Sequence, residues 1–265
     1  MQPSLSEIVI ALGLTVVAGL ATGLGGLITL FTRHDNTRVL AFAMGLSAGV
    51  MTYISFMELL PEAMESFGGG LRGEALALLA FFAGIALIAI IDKLVPEDEN
   101  PHEAHTLAEL SRPGNHHLRR TGAMLALAIG IHNFPEGMAT FVSVLDGGME
   151  LALPIVIAIA IHNIPEGIAV FVPIYQSTGD KRKAMRYTFV SGLSEPAGAL
   201  AGAIFLLPFW SDAVNAACLA AVAGIMVYIS FDELLPGAER HGHHHHALAG
   251  VIAGLALMAV SLLIL

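Results

Sequence analysis

Apolar residues along this chain gather in eight long blocks, at approximately 5–32, 38–60, 73–95, 120–145, 150–176, 186–208, 213–236 and 247–265, each bounded by charge, Gly or Pro. A helix needs about 20 apolar residues to cross the hydrocarbon of a bilayer. The pattern therefore predicts an all-α polytopic membrane protein of eight transmembrane helices. Residues 1–265 form one transmembrane domain, within which residues 96–119 make a loop rich in His and acidic residues.

Composition agrees. Of the 265 residues, 55% are hydrophobic and only 13% charged, against about 25% charged in a soluble domain. The net charge of −10 sits mostly in loops and does not suggest nucleic-acid binding. The single cysteine, Cys218, excludes a disulfide framework and a thiolate zinc cluster, and reads as a small core residue. The start, Met1-Gln2-Pro3-Ser4, has no basic region, so the first block reads as a retained helix rather than a signal peptide.

Basic residues orient the helices, because loops rich in Lys and Arg stay in the cytosol. The loops after spans 1, 3, 5 and 7 hold Arg33, Arg38, Lys93, Arg112, Arg119, Arg120, Lys181, Arg182, Lys183, Arg186 and Arg240, which is 11 of the 12 basic residues. The other side has only Arg72. The odd-numbered loops are expected in the cytosol and both termini outside, as in a multi-pass protein of the cytoplasmic (inner) membrane.

Two internal repeats stand out. Ile131-His132-Asn133-Phe134-Pro135-Glu136-Gly137 matches Ile161-His162-Asn163-Ile164-Pro165-Glu166-Gly167 at an offset of 30. Residues 48–61 match 223–236 at an offset of 175, with differences only at Val50/Ile225, Thr52/Val227 and Met57/Asp232. Spans 4 and 5 are consecutive, and spans 2 and 7 are five apart, so both pairs run antiparallel. The plan this implies is an inverted repeat of three, two and three helices, an architecture that places substrate near the midplane at the repeat interface.

The polar residues of these repeats lie at that depth. His132, Asn133 and Glu136 fall in the middle of span 4, His162, Asn163 and Glu166 in the middle of span 5, and Glu195 about ten residues into span 6. Ionisable groups in hydrocarbon cost several kcal/mol and mark pathways or sites. His and Glu at i and i+4 share a helix face, and the Asn is three residues from the Glu. Pro135, Pro165 and Pro196 should free the carbonyls of Ile131, Ile161 and Gly192. One His on a helix is more often a hydrogen-bonded core residue. A duplicated triad with a third carboxylate points instead to a metal site, since imidazole and carboxylate together suit Zn²⁺, Fe²⁺, Co²⁺, Ni²⁺ and Mn²⁺. The three glutamates carry −3 if ionised, so one divalent ion leaves −1 and two leave +1. A shared two-metal site is electrostatically open, with Glu136 and Glu166 as candidate bridges.

The paired His-Asn-x-Pro-Glu-Gly motifs, the eight spans and a His-containing third loop resemble the ZIP (Zrt-, Irt-like protein) family, in particular its bacterial ZupT-like branch. The resemblance covers nearly the whole chain. It implies uptake of zinc, and of iron, manganese, cobalt or cadmium, into the cytosol, with the metal as cargo rather than cofactor. Carried over by motif, one ion is held by His132, Glu136, His162 and Glu166, and a second by Asn133, Glu136, Asn163, Glu166 and Glu195. Some members carry Gln-Asp where this chain has His162-Asn163, which leaves less negative charge at the second position here. The family also implies a homodimer, and a group of spans 1, 4, 5 and 6 moving against spans 2, 3, 7 and 8.

Peripheral groups add to this picture. Glu58, Glu62 and Glu65 at the outer end of span 2 can attract cations or simply be solvated. His241, His243, His244, His245 and His246 follow span 7 on the inner side, where they can accept metal, and His102, His105, His116 and His117 lie in the third loop. Met51 and Met226, at matched positions, are expected in the core. Export or channel-like conduction would use the same ligands. An intramembrane metalloprotease is the remote alternative, because its usual His-Glu-x-x-His is absent: Asn follows each His and the fifth position is Glu.

Overall fold

The computed structural model describes residues 4–31, 37–94, 115–209, 211–239 and 242–264, with side chains from Asn133 onward in the central helix. The loop 96–119 thus lies almost wholly outside the described residues. The helices are α1 (Leu5–Phe31), α2 (Thr37–Ile54), α3 (Leu60–Ser66), α4 (Gly70–Leu94), α5 (Asn115–Thr178), α6 (Lys181–Gly192), α7 (Ser194–Leu206), α8 (Asp212–Ile229), α9 (Leu235–Glu239) and α10 (His244–Ile264). Seven segments among the described residues are long and apolar enough to cross a membrane: Leu5–Leu30, Thr37–Ser66, Gly70–Lys93, Ala152–Val172, Lys181–Phe209, Asp212–Glu239 and His244–Leu263. The expected fourth crossing, 120–145, is the first arm of α5. The protein is an all-α, polytopic membrane protein.

Its surface carries many exposed apolar side chains, while polar and ionisable ones are buried among its core. Leu79, Phe82, Val190 and Phe205 are exposed, whereas Thr22, Ser47, Asn133, Glu136, His162, Asn163 and Glu195 are buried. That inversion suits a hydrocarbon surround, where polar groups must be satisfied inside the bundle. The segment 152–172 is 71% buried, against 22% for the flanking crossings of α4 and α10. The second motif copy therefore sits on the most enclosed of these seven segments.

Two boundaries differ from the sequence expectation. Spans 2 and 7 continue beyond Pro61 and Pro236, to Ser66 and Glu239. A proline ring in a helix clashes with the carbonyl four residues back. Here one π-turn precedes each proline, over Ser55–Leu59 and Ser230–Leu234. In both, the next N–H reaches five residues back, Leu60 to Ser55 and Leu235 to Ser230. The extra residue shifts the register, relieves the clash and lets the helix go on. The second difference is α5, expected as two spans with a break near residue 148. Its backbone is helical over 64 residues, yet Glu136 and His162 touch at 3.0 Å. A straight helix would hold residues 26 apart at about 39 Å, so α5 doubles back between them and its arms run antiparallel.

The inverted repeat extends well beyond the two motifs. Ser55 Oγ donates to the Met51 carbonyl and Ser230 Oγ to the Met226 carbonyl, each at 2.8 Å. A Cβ at Gly49 would fall 2.3 Å from the Val251 carbonyl oxygen, and at Gly224 2.0 Å from that of Phe81. The reciprocal pairs are Gly254 on Leu46 and Gly84 on Ala221. Span 2 thus crosses span 8 as span 7 crosses span 3. Met51 and Met226 are buried in this core, as expected. Helices α1, α6 and α7 pack on α5, α10 packs on α2 and α4 packs on α8, while α5 also contacts α2 and α8.

Candidate metal centre

The site forms where the two arms of α5 face each other. His162 Nδ1–H donates to the Ala158 carbonyl, one turn back, at 3.0 Å. This bond fixes the ring and leaves Nε2 facing Glu136 Oε1 at 3.0 Å and Glu166 Oε1 at 3.9 Å. With Nδ1 already a donor, the contact from Nε2 to a carboxylate requires a shared proton, whose place a cation can take. One ligand atom each from Glu136, His162 and Glu166 lies within 4.8 Å of the others, and all three residues are buried. These are first-row-metal ligands at a spacing that one ion can bridge with small rotamer changes. His132, the expected fourth ligand, lies outside the residues whose side chains are described.

A second, oxygen-rich half adjoins it. Asn163 Nδ2 donates to Glu195 Oε1 at 2.5 Å and to the Ala18 carbonyl at 2.9 Å. Asn133, Asn163 and Glu195 are each fully buried. Glu195 reaches this position because the helix breaks at Leu193, between α6 and α7. The break fits Pro196, which frees the Gly192 carbonyl, and that oxygen packs against Gly19 of α1. At Pro135 and Pro165, by contrast, α5 stays helical.

Glycines bring the two arms of α5, α1 and α7 this close. A Cβ at Gly137 would sit 1.9 Å from the Glu195 carbonyl oxygen, and one at Gly167 1.9 Å from that of Thr22. Gly198 packs on Phe134 and Gly25 on Ile164 in the same manner, each at 2.0 Å. A third repeat follows from this register: Thr22 in α1 is to Gly167 what Glu195 in α7 is to Gly137, at an offset of 173. Gly19 and Gly192, also 173 apart, each face the other's carbonyl oxygen, which an added Cβ would meet at 2.2 and 2.3 Å. The sequence signal was present but faint, in Thr15/Thr188, Gly19-Leu20/Gly192-Leu193, Gly25/Gly198 and Leu27/Leu200. It rests on small and apolar residues, which recur in any membrane helix.

The peripheral groups lie elsewhere. His244 Nδ1 pairs with Glu239 at 2.8 Å, and His243 Nε2 with the Thr37 hydroxyl at 3.0 Å, both at the end where span 7 meets span 8. Arg240 and His241 lie outside the described residues, as do His102 and His105; no side-chain position is described for His116 or His117. Glu58 lies in the first π-turn.

The donor set allows a clear expectation for Asn163→Asp. The change removes two hydrogen bonds and puts a carboxylate beside Glu195. The unliganded protein should melt at lower temperature than wild type. Zn²⁺ or Mn²⁺ should then raise its melting temperature by more than it raises the wild type's, since saturation at about 100 Kd contributes about 2.7 kcal/mol and the repulsion disappears. A metal-induced shift no larger than the wild type's would place Asn163 away from the ion.

Comparison with known proteins shows the family. Residues 96–262 match the family model described as ZIP Zinc transporter. A zinc transporter ZupT of Streptococcus mutans is 56% identical over 254 residues, covering 95% of this chain and 96% of that protein. Proteins of the same description from Akkermansia muciniphila and Clostridium perfringens are 51% and 50% identical, and each alignment covers at least 98% of both chains.

Proposed function

Because this chain belongs to the ZIP zinc transporter family, we propose that it takes up divalent transition-metal ions, zinc foremost, across the cytoplasmic membrane through the buried cluster on α5. The observation that carries the reading is the Glu136–His162–Glu166 group, buried and convergent within a membrane-crossing helix hairpin. Zinc, iron, manganese, cobalt and cadmium are cargo on this reading. The family is one of transporters, so the protease alternative falls away.

One ion is held by Glu136, His162 and Glu166, with His132 as a fourth ligand. A second lies among Asn133, Asn163 and Glu195, with Glu136 and Glu166 as bridges. Two buried carboxylates without a counter-charge repel each other, and a divalent cation between them removes that cost. Sharing the bridges weakens each ion's hold once both are present, which favours onward release. The odd-numbered loops face the cytosol, where the histidines after span 7 receive the departing ion. Access alternates as the group of α1, α5, α6 and α7 shifts against the remaining helices, and the assembly is a homodimer.

Radioactive zinc flux into proteoliposomes, with set gradients of metal and protons, tests the reading. Inward, saturable uptake supports it. Flux only outward, or no flux in a folded preparation, would overturn it. For the two-ion arrangement, Glu195→Gln should reduce bound zinc from two ions per chain to one by equilibrium dialysis, leaving the tighter ion in place. An unchanged stoichiometry removes Glu195 from the ligand set. The mass of the protein in nanodiscs checks the dimer.

A further inference from the structure

We propose that the Thr22 hydroxyl is a ligand of the transported ion in the oxygen-rich half of the site, and that it sets how well harder divalent ions such as Mn²⁺ are accepted relative to Zn²⁺. The proposal rests on the metal-site reading above and adds a residue from α1, a helix that contributes no ligand to that reading.

Three observations place it there. Thr22 is the repeat partner of Glu195, because a Cβ added at Gly167 would fall 1.9 Å from the Thr22 carbonyl oxygen, as one at Gly137 would from that of Glu195. The pseudo-twofold axis thus sets Thr22 against Asn133 as it sets Glu195 against Asn163. Thr22 also lies four residues after Ala18, on the same face of α1, and the Ala18 carbonyl accepts from Asn163 at 2.9 Å. Across the helix crossing, a Cβ at Gly192 would meet Thr22 Cβ at 3.1 Å, and Gly192 precedes Glu195 by less than one turn.

The third observation is the state of the hydroxyl. Thr22 is fully buried, and its Oγ1 has no hydrogen-bond partner among the described residues. Several buried hydroxyls bond back along their own backbone, as Thr29 does to Gly25 at 2.8 Å and Thr15 to Leu12 at 2.8 Å. Ser47, Thr140 and Ser191 share the unpartnered state of Thr22, but of these four only Thr22 is the repeat partner of Glu195. For Thr22 the acceptor four residues back is the Ala18 oxygen, which Asn163 already uses. A buried hydroxyl without a partner is costly in a membrane interior, and a cation held by the neighbouring Asn and Glu oxygens removes that cost.

The chemistry follows from the pseudo-symmetry and its defect. One repeat offers a carboxylate, Glu195, and the other a neutral oxygen, Thr22. With Asn133 and Asn163 this half supplies only oxygen donors, which suit Mn²⁺, whereas His162 makes the other half suit Zn²⁺. A neutral hydroxyl adds a ligand without adding charge, so the ion is coordinated but not trapped.

The test compares Zn²⁺ and Mn²⁺ uptake in proteoliposomes for Thr22→Val, Thr22→Ala and Thr22→Ser. Valine keeps the shape without the hydroxyl, alanine guards against a packing failure of valine, and serine keeps the oxygen. The expected result is a KM for Mn²⁺ raised about tenfold in the valine and alanine variants, an unchanged KM for Zn²⁺, and wild-type values for serine. Wild-type KM for both ions in valine and alanine overturns the proposal, as does a parallel loss for both ions that serine shares. Glu136→Ala in the same assay separates the two readings. If it is inactive while Thr22→Val behaves as wild type, only the Thr22 inference fails. If it transports normally, the metal site itself is wrong.

Discussion

Glu136→Ala is expected to abolish divalent-metal uptake, by at least about 100-fold, in protein that still inserts and folds. Glu136 is fully buried, contacts His162 Nε2 at 3.0 Å, and belongs to the one described group of side chains spaced to hold an ion. Its carboxylate is shared between both proposed ion positions, so its loss removes two ligands at once. Structural damage should be modest, because leaving the His162 nitrogen without a partner costs about 1–3 kcal/mol and the removal of a buried charge offsets part of it. Glu136→Gln sharpens the test: the amide N–H can donate to His162 Nε2, so the fold is spared while the charge is gone. Zinc flux into proteoliposomes, normalised to inserted protein, should be lost in both variants. Near-normal uptake by the glutamine variant would mean the charge is not required, and the proposed site would fall.

Gly137→Val is expected to be the most damaging change to the fold that introduces no charge. The added Cβ would start 1.9 Å from the Glu195 carbonyl oxygen, with the Glu195 backbone carbonyl carbon at 2.6 Å. Backbone cannot rotate aside as a side-chain end can, so α5 and α7 must separate. Overpacking against yielding side chains already costs about 1–3 kcal/mol, and a rigid neighbour makes this a lower bound. The variant should aggregate on extraction or melt at least about 5 °C below wild type. Gly13→Ala is the control: nothing lies within 4 Å of its added carbon, and its melting temperature should hold or rise slightly. Equal behaviour of the two would mean that α5 and α7 do not approach as described.

Much of this site was legible without coordinates because its parts are chemical. Buried His and Glu are expensive in a membrane, so they stand out against apolar blocks, and their duplication at a short offset gives both copies and their antiparallel sense. The second half of the site was readable only as a list. Asn163 and Glu195 are 32 residues apart, and nothing local requires them to meet. Their contact depends on where α5 doubles back and on the break at Leu193, and both depend on packing.

Thr22 shows the same limit more sharply. A threonine in an apolar helix usually bonds its own backbone, and one sequence cannot tell that the Ala18 carbonyl is taken by Asn163. The repeat that pairs Thr22 with Glu195 consists of glycines and leucines, chosen for close backbone approach, and such residues are common in any membrane helix. The π-turns before Pro61 and Pro236 were hidden for a related reason: proline predicts an end, and only the shifted hydrogen bonds reveal that the helix continues. By itself, then, the sequence determined the class, the number and sense of the spans, and which side chains could hold a metal, because hydrophobicity, charge and motif duplication are properties of residues. Tertiary structure alone decided which of those side chains come together, how close the helices run, and that α1 packs Thr22 against the second arm of α5, because these depend on carbonyl-to-glycine contacts between segments far apart in the chain.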